Sequence, residues 1–563
     1  MVHKVLPPIS RDRVKLPPIN GHDRDQNQPY LRGGRVEALH PELWIEIFLN
    51  NTETDFRWDI APDISSAAEN GPEANRHQYL RPYVDPSRPT RTASHVCRYW
   101  RGIVLSAPKI WSRFIDCDLL PQAWFKEVLH RAQDVPLTVV CRCVDSPTDE
   151  AQTYAIQRTN PNIGQLLASK KEFGEFYAHL GMYLLSHIAA RLIQRLQQPM
   201  PQLTTFYLDV AQQRFGEMLW DIYDRDIVNL FANKAPPLLR KFSLRDYPLQ
   251  ASYSFLHSLT YLSITDPPHY FPLLAMLGQT PHLQQLILEL FSPHEHMSPM
   301  SGGTAFGPTN RVKLPCLTQI RLLGHYQAIV TLLECLDPAE LLVLSCEVDS
   351  ILPGNISNST ETFRRLLGPK AKSKTPLSGG MVFVLLWRFY TTITITSPQG
   401  HLFYLSIANA PWFTSRDYAT ILQNYSALFA SCPFLLIGYA EPRESFPYRR
   451  PDVSTFNTFQ NKILIEFIRI FNHVGTVAIK GMSISLMVEL LGADDTSLPS
   501  LGRVVMPCSA DSLCELGAFD EIADLLQKRS SAGRPLQYLT FQASQGGNPP
   551  CGQKVTFYEL RSF

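Results

Sequence analysis

The chain has 563 residues, 45% of them hydrophobic, with 52 basic against 51 acidic side chains and a net charge of +1. That balance supplies no overall field to draw in nucleic acid or an anionic membrane, and the best apolar run, Met381 to Trp387, stops at Arg388, too short to cross a bilayer. The eleven cysteines, spread without the spacing of a small disulfide-bonded domain, read as thiols of a reducing compartment, cytoplasmic and/or nuclear.

Residues 1–34 read as a disordered tail: Leu6-Pro7-Pro8-Ile9 returns as Leu16-Pro17-Pro18-Ile19, and such Pro pairs favour extended chain. There is no apolar segment of the signal-peptide kind. Two helical stretches follow. In the first, Leu39 to Phe48, Pro41 suits an opening turn and Glu42 the positive end of the helix dipole. Leu43 and Ile47 are four apart, as are Trp44 and Phe48, so two apolar stripes run side by side. The second runs from Ser94 to Val104 and places Val96, Trp100, Ile103 and Val104 on one stripe, with Arg98 and Arg101 turned elsewhere. Pro108 starts a third short helix carrying Ile110 and Trp111. A polar insert at about 51–92, rich in Pro, Asn and Asp, reads as a long surface loop between the first two. Helices this small cannot hide so many large side chains among themselves, so part of that surface meets the rest of the chain or a partner.

At these residues the chain resembles the F-box, in the form common among basidiomycete fungal F-box proteins. The likeness covers Leu39, Pro41, Glu42, Leu43, Ile47 and Phe48, then Val96, Cys97, Arg98, Trp100, Arg101 and Ile103, then Pro108 and Trp111. It departs at His40, where the family usually has Pro, and in the long insert. The resemblance implies a three-helix F-box domain at 35–114 that docks on an SKP-type adaptor and, through it, a cullin. Leu39, Pro41, Leu43, Ile47, Val96, Cys97 and Trp100 are the adaptor-binding residues it implies.

Phe114 to Cys117 reads as a strand, Pro121 to Gln133 as a helix and Pro136 to Cys141 as a β-branched strand. Phe173 to Gln197 reads as an amphipathic helix, with Phe173, Phe176, Tyr177, Leu180, Leu184, Ile188, Leu192 and Leu196 on its period. A short pattern then recurs: an apolar residue, another three on, and a third two beyond that. Its copies are Leu203/Phe206/Leu208, Leu239/Phe242/Leu244, Leu259/Leu262/Ile264, Leu283/Leu286/Leu288, Leu317/Ile320/Leu322 and a weaker Ala339/Leu342/Leu344, with late ones at Leu501/Val504/Met506 and Leu536/Leu539/Phe541. This resembles a degenerate leucine-rich repeat, in which each copy is a strand that buries its apolar side only by stacking on its neighbours. Region 345–500 is less regular. Met381 to Leu386, Thr392 to Thr396 and His401 to Ile407 read as an antiparallel run, Lys462 to His473 as a helix, Val477 to Ile479 as a strand, and Val555 to Leu560 as a closing strand.

The chemistry of catalysis is missing from the pattern. Cys141-x-Cys143 and His294-x-His296 have no second pair at metal-binding distance, nor do Cys508 and Cys514, and no nucleophile elbow, phosphate loop or dinucleotide fingerprint occurs. No cofactor, no metal and no enzymatic activity are expected. The expected fold class is α/β, a small all-α three-helix F-box followed by a leucine-rich-repeat-like solenoid over 115–563. By resemblance the function is substrate recognition in an SCF-type cullin-RING ubiquitin ligase, with an unknown protein target held by the repeats. The alternative is an F-box/repeat interaction scaffold outside any ligase. Arg240, Lys241, Arg245 and Tyr261, at the variable positions of two repeat strands, are the candidate target-binding residues.

Overall fold

The computed structural model describes residues 39–52, 95–113, 115–118, 120–143, 161–180, 194–210, 236–245, 254–265, 270–290, 311–350, 360–367, 381–387, 390–396, 402–408, 432–440, 474–480, 498–508, 518–543 and 557–561, with a few single positions between them. The tail at 1–34, nearly all of the 51–92 insert and most of 462–473 lie outside the described residues.

Three helices open the described chain, α1 (Pro41–Thr52), α2 (Arg98–Ser106) and α3 (Pro108–Ser112). Next come β1 (Ile115–Asp116), α4 (Gln122–Arg131), β2 (Leu137–Cys143), α5 (Pro161–Ala168), β3 (Phe173–Leu180), β4 (Thr205–Val210), β5 (Lys241–Arg245), β6 (Tyr261–Thr265), α6 (Tyr270–Leu277) and β7 (Gln285–Leu290). The middle holds β8 (Val312–Leu314), β9 (Gln319–His325), α7 (Tyr326–Cys335), β10 (Leu336–Pro338), β11 (Val343–Ser350), α8 (Thr360–Leu367), β12 (Met381–Trp387), β13 (Tyr390–Thr396) and β14 (Leu402–Ala408). The chain closes with β15 (Phe434–Ala440), β16 (Thr476–Lys480), β17 (Arg503–Cys508), α9 (Ala518–Ser531), β18 (Tyr538–Ala543) and β19 (Phe557–Arg561).

Seventeen of these strands form one sheet. Strands β1 to β7 lie side by side in chain order, all parallel, followed by β9 and β11. β11 then pairs with β14 rather than β12, because β14, β13 and β12 form an antiparallel meander whose far strand hands over to β15. Parallel pairing resumes through β16, β17 and β18, and β19 closes the sheet antiparallel to β18. β8 and β10 make a separate parallel pair.

A local reason for this stacking recurs from strand to strand. The first apolar residue of each copy sits in a turn just before its strand, its N–H donating three residues back: Leu203 to Met200 O, Leu239 to Pro236 O, Leu259 to Leu256 O, Leu283 to Thr280 O and Leu317 to Leu314 O, all at 3.1–3.2 Å. The following residue then donates to the matching carbonyl of the preceding strand, as Arg240 to Thr204 O, Thr260 to Arg240 O, Gln284 to Thr260 O and Thr318 to Gln284 O. One turn thus sets the register of the next strand, and all three apolar positions of these copies face one buried core. Across β3, β4 and β5 that core is a ladder of rings: Phe176 to Phe206 at 5.8 Å and Phe206 to Phe242 at 5.4 Å, both stacked. Beyond them the same row continues through Leu262, Leu286, Ile320 and Leu344.

Two sequence expectations are corrected here. Phe173 to Leu180 is strand β3, not the start of a helix. Phe173, Phe176 and Ala178 are buried and in register with β2 and β4, and the ready partners on both sides outweigh a helical period that the same residues also satisfy. The weak copy is shifted by two residues: Leu341, Leu344 and Cys346 are the buried positions, since Leu344 pairs with Ile320 and Cys346 with Leu322.

The larger correction concerns architecture. Among the described residues no small all-α three-helix F-box stands apart, and no uniform leucine-rich-repeat-like solenoid follows it. The chain is an α/β fold built on one large, mainly parallel sheet, interrupted by an antiparallel meander. Phe48, Leu49, Ile103, Val104, Ile110 and Trp111 of the first helices belong to the same continuous core as the strands. The physical cause is visible at the junction, where Trp111 packs edge-on against Trp124 of α4 at 5.8 Å and Arg131 lies 4.8 Å over the Trp111 ring.

Candidate protein-docking site

Helix α1 is apolar on two sides, and the fold uses the two differently. Its inward stripe forms an aromatic cluster: Trp44 lies 5.9 Å from Phe48 and 4.7 Å from Trp100, and Phe48 lies 5.3 Å from Trp100. Phe48 and Leu49 are fully in the core. Tyr99 donates its hydroxyl to Leu39 O at 3.2 Å, which brings the start of α1 beside the start of α2. The indole N–H of Trp111 donates to Val104 O at 2.7 Å and fixes α3 against the end of α2.

The outward stripe is open among the described residues. Leu39 is 40% exposed, Leu43 53%, Ile47 39% and Val96 59%, and Pro41 and Cys97 are exposed beside them. Trp100 is half-buried and bridges the two stripes. All seven residues named from the sequence therefore sit at this end of the molecule, six facing outward and one at the boundary. The stripe proposed for the second helix is split, because Cys97 is the N-cap of α2: its backbone is extended and its sulfur accepts the Trp100 N–H at 3.4 Å. Val96 thus precedes the helix and turns out, while Ile103 and Val104 turn in. Sequence reading missed Leu105, 42% exposed on the same helix. Its spacing of seven from Arg98 and four from Arg101, on the side away from the core, was the available signal.

The second candidate surface is the sheet face opposite the core. Lys241 and Tyr261 are register neighbours there, in a row that continues to Gln285 and Gln319. Lys241 is exposed and Tyr261 half-buried. Arg240 lies on the turn before β5, and its guanidinium donates to the carbonyls of Pro237, Leu239 and Ser258 at 3.2–3.4 Å, so it ties its own turn to the one before β6. Arg245 stands at the other end of β5, opposite Asp209, about 13 Å along the strand from Lys241. The structure therefore brings Lys241 and Tyr261 together, beside the Arg240 carbonyl that accepts the Tyr261 N–H at 3.1 Å, while the Arg240 guanidinium is engaged with backbone carbonyls and Arg245 stands at the far end of β5.

This face is less solvated than alternation in the sequence implies. Ser243, Ser263, Thr265, Ser345 and Asp209 are buried. Short side chains on strands about 4.8 Å apart are shaded by longer neighbours, and register places Ser243 and Ser263 between Tyr207 and Ile287. The longer polar groups bind one another: Gln285 Nε2 donates to Gln319 Oε1 at 2.8 Å, and Arg321 donates through Nε and an Nη to Glu347 Oε1 at 3.1 and 2.6 Å. Nearby, Tyr177 donates to Glu175 Oε2 at 3.0 Å, and burial followed by the Glu175 charge pushes its phenol well above the ordinary value.

Among the described residues no group of three or more His, Cys, Asp or Glu side chains is placed to hold a metal ion, and no helix is long and apolar enough to cross a membrane. His294, His296 and Cys514 lie outside the described residues, and Cys141 packs against Cys117. Compared with known proteins, the chain matches no protein-family model and no curated protein.

Proposed function

We propose that this chain is a substrate-recognition subunit of an SCF-type cullin-RING ubiquitin ligase. The face bearing Leu39, Leu43, Ile47 and Val96 docks an SKP-type adaptor, and the sheet face around Lys241 and Tyr261 holds a target protein. One observation carries the reading: four large apolar side chains, on the residues that resemble the F-box, stand 39–59% exposed at one end of the chain while their immediate neighbours are packed in the core. Fully burying an aliphatic side chain is worth about 1.5–3 kcal/mol, and these half-exposed ones leave roughly half of that for a partner groove to recover on docking. The chain itself makes and breaks no bond in this mechanism. It holds a target beside a ubiquitin-charged enzyme and raises its effective concentration there.

The test uses a purified SKP-type adaptor and the full chain carrying Leu43→Asp with Ile47→Asp. Binding by the unaltered chain and its loss in the double variant, with an unchanged circular dichroism spectrum, is the expected result. Equal binding by both proteins refutes this assignment of the face.

A further inference from the structure

Cys117, one residue past β1, and Cys141 of the parallel strand β2 have their sulfurs 3.2 Å apart, and the register Asp116↔Val140 carried one residue on sets them opposite each other. Both are in the core, at 0% and 3% exposure. Parallel neighbours stand about 4.8 Å apart, inside the roughly 4.4–6.8 Å Cα separation that a disulfide spans, so closing the bond requires little backbone movement. The surroundings hold the pair in place. The Cys117 N–H donates to Val140 O at 2.9 Å, its carbonyl accepts Asn162 Nδ2 at 3.0 Å, and the same Nδ2 donates to Leu120 O at 2.7 Å. Asp116 Oδ1 accepts the Asp118 N–H at 2.9 Å and closes the turn after Cys117. The hydrogen bond with Cys117, followed by burial, raises the Cys141 thiol well above its ordinary value.

We propose that Cys117 and Cys141 are a redox latch, closed to a disulfide by a hydroperoxide, that locks the edge strand β1 to β2. The proposal stands independently of the ligase reading. In the first step one thiol attacks the peroxide as it gives up its proton: an S–O bond forms, the O–O bond breaks, and the departing oxygen leaves with that proton as water or an alcohol. In the second step the other sulfur attacks the sulfenic sulfur: the S–S bond forms, the S–O bond breaks, and the departing oxygen leaves as water with the second thiol proton. Two electrons pass from the sulfurs to the peroxide. The product closes a loop around α4 between positions 24 apart, and β1 is the segment through which α1, α2 and α3 continue into the sheet. The helical end is then fastened covalently to the second strand as well as through the core.

The experiment treats the full-length chain with hydrogen peroxide, quenches it, unfolds it in N-ethylmaleimide and maps the peptides by mass spectrometry. The expected result is loss of the maleimide label at both positions and a linked peptide containing Cys117 and Cys141, two hydrogens lighter than its separate parts. Dithiothreitol restores both labels, and Cys141→Ser yields no such peptide. The proposal is overturned when both positions keep the label at a peroxide dose that oxidises the exposed Cys97 and Cys316, or when Cys117 is recovered as an uncrosslinked sulfinic or sulfonic acid.

Discussion

At the scale of single residues, Gly324 shows how closely the strands approach. It has φ of +137°, and a Cβ built on it would lie 2.1 Å from Leu290 O on the adjoining strand. Its other neighbour, β11, carries a bulge directly after Val348, the residue paired with Gly324. Both the backbone angle and the space require glycine. Gly324→Ala is therefore expected to destabilise the chain by about 2–4 kcal/mol, read as a lowered urea midpoint with an unchanged slope. Cys432 makes a different residue-scale statement. Burial pushes its thiol from an ordinary 9.0 to about 11. Between those values the unfolded chain has released a proton that the folded chain keeps, so this group's contribution is full below pH 9 and declines as pH rises, levelling near pH 11. Urea midpoints measured across that range should fall more steeply for the unaltered chain than for Cys432→Ala. Equal slopes in the two proteins would assign the alkaline loss to other groups.

At the scale of elements, α1 was the most legible helix because Pro41 and Glu42 mark its start and its apolar residues recur at four-residue spacing. Spacing alone could not say which stripe meets water, since Leu43/Ile47 and Trp44/Phe48 are equally apolar. The rings decided it: Trp100 offers Trp44 and Phe48 an aromatic surface, and the aliphatic pair is left outside. The double Asp replacement in α1 is accordingly expected to cost only about 1 kcal/mol of stability, the helix-propensity term, while removing adaptor binding. A large loss of stability would mean that the stripe is covered in solution. Strand β3 shows the opposite case. Phe173, Phe176 and Ala178 satisfy the same spacing as the strands after it, at Leu203, Phe206 and Leu208, yet the long run to Leu196 also fits a helical period. A short apolar run does not choose between the two until its pairing partners are known.

At the scale of the whole molecule, the helices and the sheet share one core, with Trp111, Trp124 and Arg131 stacked across their boundary. A fragment of residues 35–114 would lose the packing of Trp111 on Trp124 and under Arg131. It is expected to show no cooperative thermal transition on its own, whereas the full chain unfolds its helices together with β1 and β2. A sharp transition in the isolated fragment would show that the shared core is dispensable to the helices. The antiparallel meander matters at this scale too. By seating β14 against β11 and β12 against β15, it keeps the sheet continuous through a region where the repeating pattern fails.

The recurring apolar spacing, the meander at 381–408 and the closing strand were determined by the sequence alone, because each rests on periodicity or turn chemistry within a few residues. So was the set of apolar side chains at the amino end. Only the tertiary structure decided that β3 is a strand, that Arg240 binds its own turn, that Cys117 meets Cys141, and that the helices join the sheet in one core. These outcomes depend on residues distant in the chain competing for the same surface, and local pattern carries no information about which competitor arrives.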